Sequence, residues 1–195
     1  REFFFGKDGS TSWVKKKIKK EIKQYSHYNV DIRSYQSLEK IFKKYKKHIS
    51  IIIHCAAQPS HDYGTNFPIL DFNVNATGTL NLLDLTQIYC PNVPFIFMST
   101  NKVYGDNPNK LKIIEKKDRY ELKYNDRYYK GIDETFSIDN CTHSFFGVSK
   151  TYADLIVQEY GKNVGLKTVS CRGGCITGPN HSGAKLHGFL SYLVK

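Results

Sequence analysis

Apolar positions along the chain alternate between two periods. In "SYQSLEKIFKKYKK" (34 to 47), Tyr35, Leu38, Ile41, Phe42 and Tyr45 recur at helical spacing and predict an amphipathic helix. Just before it, "HYNVDI" (27 to 32) is a short β-rich run that predicts a strand. "SIIIHCA" (50 to 56) is continuously apolar, the pattern of a strand covered on both sides. "FPILDFNVNATGTLNLLDLTQIY" (67 to 89) predicts a long helix that Pro91 and Pro94 end, and "PFIFMST" (94 to 100) predicts another buried strand. From 101 to 140 the pattern dissolves into Lys, Tyr, Asp and Asn, as expected of an insertion lying over the sheet edge. A helix over about 144 to 161, a strand "LKTVSCR" (166 to 172), a Gly-rich loop to Gly183 and a helical segment to Lys195 complete the order.

Strands alternating with helices predict an α/β fold, a doubly wound parallel sheet of Rossmann-like type. Ligands of such sheets bind beyond the carboxyl ends of the strands. Asp31, Ala56 to Ser60, Ser99 to Asn101 and Gly173 to Gly178 occupy those positions.

The chain has 195 residues, 40% hydrophobic and 24% charged, which predicts one globular domain. Its formal charge of +11 is concentrated in "KKKIKKEIK" and "EKIFKKYKK", where lysines share helical turns with apolar residues. Those are solvated helix faces, and their field would draw in an anionic ligand. No aromatic or Gly-based RNA or DNA motif accompanies the charge, so a nucleic-acid partner is not expected. No apolar run would cross a bilayer and no leader is recognisable, so the expectation is a cytoplasmic protein without a membrane partner. Five scattered cysteines, Cys55, Cys90, Cys141, Cys171 and Cys175, form no metal-ligand spacing, and no metal is expected.

Three segments at the strand ends share one resemblance. "FIFMSTNKVYGD" (95 to 106), "FGVSK" (146 to 150) and "CRGGCITGPNHSG" (171 to 183) resemble, in order and spacing, signatures of the extended short-chain dehydrogenases that act on nucleotide sugars. "STNKVYGD", followed by a long insertion, is most similar to the CDP-paratose (CDP-tyvelose) 2-epimerase branch. The resemblance implies NAD as cofactor and a nucleotide sugar as substrate, a CDP-linked dideoxyhexose epimerised at C2 through transient oxidation to a ketone. It also implies a homodimer or homotetramer. By the same resemblance Lys150 holds the nicotinamide ribose, Thr100 bonds the reacting hydroxyl, and Ser99 and Cys175 lie beside the cofactor. Asp31 and Ile32 would meet the adenine, while Ala56, Ala57, Gln58 and Asn75 would border the phosphates and the nicotinamide ribose. Asn101, Tyr104, Thr177 and His181 would face the substrate, near Arg172 and Ser182. Taken singly, Thr100 and Asp31 also suit helix or turn capping, and Asn75 suits a local hydrogen bond. A 4,6-dehydratase is the neighbouring chemistry, but its acidic pair is replaced here by Asn101 and Lys102.

One residue departs from the pattern. Phe146 stands four residues before Lys150, where the family has its reactive tyrosine, and a phenyl ring can neither donate, accept nor titrate. Three readings stay open. The proton carrier has moved, to His143, Cys141, Tyr152, Tyr104 or Lys150; or the chain is a non-catalytic relative that binds NAD and nucleotide sugar; or the ring is simply core.

A dinucleotide-binding sheet opens with a strand and a Gly-rich turn at a helix N-terminus. "GKDGS" (6 to 10) lacks that spacing. The expectation is a partial dinucleotide-binding domain without its first βαβ unit, carrying the 101 to 140 insertion, with most of the substrate lobe absent.

Overall fold

The three apolar runs lie side by side. A computed structural model describes residues 6 to 184 and 187 to 194, and it pairs β1 (Ile52–His54), β2 (Phe95–Thr100) and β5 (Thr168–Gly173) in parallel in that order. Between β2 and β5 the chain adds a separate antiparallel hairpin, β3 (Ile113–Glu115) and β4 (Tyr120–Leu122). The helices are α1 (Ser12–Glu21), α2 (Tyr35–Tyr45), α3 (His61–Asn66), α4 (Pro68–Phe72), α5 (Gly78–Tyr89), α6 (Ser144–Lys162) and α7 (Phe189–Leu193).

Register decides which side chains share a face. Ile52 pairs with Phe95 and Phe95 with Thr168, so Ile52, His54, Phe95, Phe97 and Ser99 point one way. On that face Phe95 and Phe97 are fully buried with Leu83 of α5 and Ala153 and Val157 of α6. α2 extends the same layer, burying Leu38 and Phe42 against Leu85 and Cys90. The opposite face holds Ile53, Val169 and Cys171, which stay exposed. The expectation that β1 is covered on both sides is therefore corrected: Ile53 is 59% exposed while His54 beside it is 3% exposed.

Two further expectations change. Residues 27 to 32 form no strand, because a strand needs a hydrogen-bonded neighbour and none of the described residues pairs with them, and Ile32 lies in a turn. Val30 and Ile32 instead pack against the α2 cluster. The last helix is shorter than expected, since Ala184 pairs antiparallel with His187 and Gly188 at φ +79° stands immediately before α7. Lys185, Leu186 and Lys195 of that expected segment lie outside the described residues.

The predicted helix over 67 to 89 forms with a wide π turn, Asn73–Thr77, between α4 and α5. That turn buries Val74, Asn75 and Ala76. The 101 to 140 segment folds around its own cluster of Val103, Tyr104 and Phe136, with Leu111, Tyr128, Ile132 and Ile138 packed on it. No helix among the described residues is long and apolar enough to cross a membrane.

Candidate functional site

A cleft of about 630 Å³ opens at the carboxyl ends of the strands. Its walls include Ala57 after β1, Ser99 and Thr100 at the end of β2, Gly173 and Gly174 at the end of β5, and Phe146 and Lys150 of α6. The parallel register puts those strand ends level with one another, and α6 crosses below them because Ala153 and Val157 are buried on Phe95 and Phe97.

Lys150 is the most constrained of these groups. Only 4% exposed, it donates from Nζ to the Met98 carbonyl at 2.9 Å and sits 4.1 Å from the Phe97 ring centroid. Burial lowers its pKa to about 8, against the opposing attraction of Asp154. Asp154, one turn along α6, is itself engaged. It accepts from Arg172 Nη2 at 2.8 Å, from Arg172 Nε at 3.2 Å and from Ser99 Oγ at 2.5 Å. Burial pushes its carboxyl up, and the Arg172 and Ser99 bonds outweigh that and hold it below the ordinary value.

Thr100 lines the cleft and also caps the turn that follows it: its Oγ1 accepts from the Lys102 N–H at 3.2 Å and donates to Asn101 Oδ1 at 3.4 Å. Gln58 and Asn75 lie behind the wall rather than on it. The Gln58 N–H donates to Asn75 Oδ1 at 2.9 Å, and Asn75 Nδ2 donates to Gln58 O, Asp71 Oδ1 and Ser149 Oγ. Asp71, which the sequence reading did not single out, completes this buried cluster. Burial raises its carboxyl, partly offset by bonds from Ser149, Gln58 and Asn75.

Phe146 is 7% exposed and stands edge-on to the His61 imidazole, with ring centroids 4.9 Å apart. His61 lines the same cleft. The sequence reading passed over it, although "PSHD" is a legible helix start: Ser60 Oγ accepts from the Tyr63 N–H at 3.2 Å and so places His61 in the first turn of α3. α3 reaches α6 through Gly64, where an added Cβ would stand 3.0 Å from Asp71 Oδ1 and 3.3 Å from the Phe146 nitrogen.

Asn101, Cys175, Thr177 and His181 also line the cleft. Several expected residues do not. His143 turns its Nε2 to the Val103 carbonyl at 3.0 Å, with Cys141 Sγ at 3.6 Å from the same nitrogen, so both are tied to the loop before α6. Tyr104 is buried outside the cleft lining: its hydroxyl accepts from Arg172 Nη1 at 3.0 Å and donates to the Asp133 carbonyl at 3.1 Å. Tyr152 packs against Phe72, ring centroids 5.7 Å apart. Asp31 is bound to Arg33, which lowers its pKa, and Ile32 packs where a Cβ on Gly78 would meet it at 2.5 Å. Ala56 is exposed outside the cleft.

The residues present fit a dinucleotide's nicotinamide end. Lys150 has three N–H donors, of which the Met98 carbonyl takes one, and among the described residues no carboxylate forms an ion pair with it. Two ribose hydroxyls would fill the remainder. Ala57, Gly173 and Gly174 keep the adjoining wall flat, and a Cβ on Gly174 would meet nothing within 4 Å.

Comparison with known proteins identifies the family and the fold. The profile of the NAD dependent epimerase/dehydratase family matches residues 7–195. The CDP-paratose 2-epimerase of Salmonella typhi is 34% identical over 165 residues, covering 85% of this chain and 46% of that protein, so the chain spans less than half that relative's length. The crystal structure of Thermus thermophilus UDP-glucose 4-epimerase complexed with NAD superposes with a TM-score of 0.59 at 29% identity, covering 78% of this chain and 42% of that one. Thermotoga maritima UDP-glucose 4-epimerase shares the fold at 20% identity, with a TM-score of 0.64 over 96% of this chain and 59% of the other.

Proposed function

Because the chain belongs to the NAD dependent epimerase/dehydratase family, we propose that it forms the cofactor and sugar cleft of an NAD-dependent nucleotide-sugar epimerase whose substrate is a CDP-linked dideoxyhexose inverted at C2. The observation that carries this reading is the shared cleft of Thr100 and Lys150, contributed by two segments 50 positions apart. The similarity to a CDP-paratose 2-epimerase supports the choice of substrate class.

NAD supplies a reversible hydride acceptor; the chain's own residues bind, orient and handle the proton. Lys150 would hold the ribose hydroxyls with its two unused donors and add a positive charge beside the reacting carbon. Thr100 Oγ1 would bond the reacting hydroxyl, exchanging its long 3.4 Å contact to Asn101 for that bond. Asn101, Thr177 and His181, in the same cleft, would orient the sugar. Phe146 favours a second reading, a binder without turnover, because the usual phenol is missing.

One experiment separates the two. The complete gene product is denatured and the supernatant assayed for NAD by absorbance, then the native protein is incubated with CDP-paratose or CDP-tyvelose and followed by NMR. Interconversion supports the epimerase. Bound NAD without interconversion supports the binder, and absence of both NAD and turnover removes the proposal.

A further inference from the structure

The reaction proposed above needs a proton acceptor that Phe146 cannot be. We propose that His61 is the acid-base residue of the cleft, taking on its Nε2 the proton of the sugar hydroxyl that is oxidised. This rests on the epimerase reading and names a group that the sequence motifs do not contain.

Among the described residues three imidazoles line the cleft, His61, His181 and His187, and His61 is the one set against Phe146. Its ring lies 4.9 Å from the Phe146 ring, and it lines the same cleft as Phe146, Lys150 and Thr100. Its Nδ1 is 3.0 Å from Ser144 Oγ. That oxygen already accepts the Gly147 N–H at 3.2 Å and has a second lone pair; we assign that lone pair to an Nδ1–H, the tautomer in which Nε2 is unprotonated. Ser144 holds this position at φ +64°, a left-handed backbone that a non-glycine residue adopts at a cost. Of the groups the sequence offered instead, His143, Cys141, Tyr104 and Tyr152 lie outside the cleft lining; Lys150 lies on it, but its Nζ donates to the Met98 carbonyl and its remaining donors are assigned here to the ribose hydroxyls.

The charges around the ring suit the task. Burial and the Lys102 ammonium lower the His61 pKa, keeping the resting imidazole neutral and able to accept a proton. Asp62 on the same helix and Asp71 from α4 act the other way and would favour the imidazolium once formed, while Ser144 and Phe146 from α6 are uncharged. In the forward step the substrate O–H bond would break with its proton passing to Nε2, while NAD, when bound, would supply the acceptor for the carbinol hydride and its electron pair. After the ketone has turned, the hydride would return from the reduced cofactor to the other face of the carbon, and the same proton from the imidazolium to the oxygen.

The test uses His61→Asn in the complete gene product. Turnover is expected to fall about 10²- to 10⁴-fold, while the NAD affinity read by calorimetry stays within about threefold, as expected for a group whose role is proton transfer. In the unliganded protein, ¹⁵N NMR should show Nε2 as the unprotonated nitrogen at neutral pH and a titration below the ordinary histidine value. A proton on Nε2, a titration above that value, or a His61→Asn protein with undiminished turnover overturns the assignment and leaves the epimerase reading intact. Failure of the native protein to turn over either CDP sugar removes both together.

Discussion

The Lys150 ammonium rests 2.9 Å from the Met98 carbonyl and 4.1 Å from the Phe97 ring centroid, buried without a carboxylate ion pair among the described residues. That placement is costly for the fold and useful for a ligand. With its pKa lowered to about 8 from 10.5, the native state releases this proton before the unfolded chain does, so stability rises as pH rises between those values. The gain is about 1.4 kcal/mol per pH unit across the window. Lys150→Met should abolish that rise and should be at least as stable as the parent near neutral pH, while losing retained NAD. Urea unfolding at pH 7 and pH 9.5 checks the first part, and absorbance of the denatured supernatant checks the second.

Arg172 and Asp154 tie the end of β5 to α6 through two hydrogen bonds in a nearly closed environment, with side-chain exposures of 15% and 1%. Removing one partner leaves a buried charge uncompensated. Arg172→Met should cost roughly 3 kcal/mol, the usual scale for breaking a buried pair from one side. The double variant Arg172→Met with Asp154→Leu should recover most of that loss, because no charge is then stranded. Urea midpoints of the three proteins decide it; a double variant no better than the single would mean that the bonds to Tyr104 and Ser99 matter more than charge pairing.

His54 lies under the sheet with Nε2 2.9 Å from Thr79 Oγ1, and burial followed by repulsion from Lys150 lowers its pKa to about 3. The unfolded chain takes up this proton near the ordinary value of 6.5 and the native state does not, so stability is full above 6.5 and falls as pH drops toward 3. The loss is about 1.4 kcal/mol per pH unit in that range. His54→Gln should flatten this part of the stability curve, as read from urea unfolding at pH 6.5, 5.5 and 4.5.

How much of this was legible depends on whether a residue's position is set locally. β2 and α6 could be read because "PFIFM" is a continuous apolar run and because Phe146 and Lys150 share one helical face. The run at 27 to 32 misled because a β-rich composition measures strand propensity and not the presence of a neighbour to pair with. His61 was hidden for a related reason. Its own helix start is visible in "PSHD", but its meeting with Phe146 depends on α3 closing on α6 across Gly64, a contact 82 positions long in sequence (146 − 64). Tyr104 was assigned to the substrate by its motif, whereas the partners that claim its hydroxyl, Arg172 and Asp133, lie 68 and 29 residues away.

Two glycines beside the cleft should answer substitution in opposite ways. Gly105 ends the turn after Thr100 with φ +55°, and an added Cβ would stand 2.6 Å from Cys141 Sγ and 2.8 Å from the Thr142 carbonyl. Both the backbone and the space forbid a side chain, so Gly105→Ala should cost about 2 kcal/mol. Its strain falls on the segment that carries His143 into α6, so the Thr100 turn and the start of α6 should separate slightly and turnover should fall with stability. Gly174 has no such constraint, since its Cβ would meet nothing within 4 Å. Gly174→Ala should therefore leave the urea midpoint within about 0.5 kcal/mol of the parent. The same methyl would enter the cleft wall, where it should weaken NAD retention without touching the fold. Unfolding curves and NAD titrations of the two variants, run side by side, check the contrast; a Gly174→Ala protein that unfolds early while keeping its NAD would refute the assignment of that wall to the cofactor.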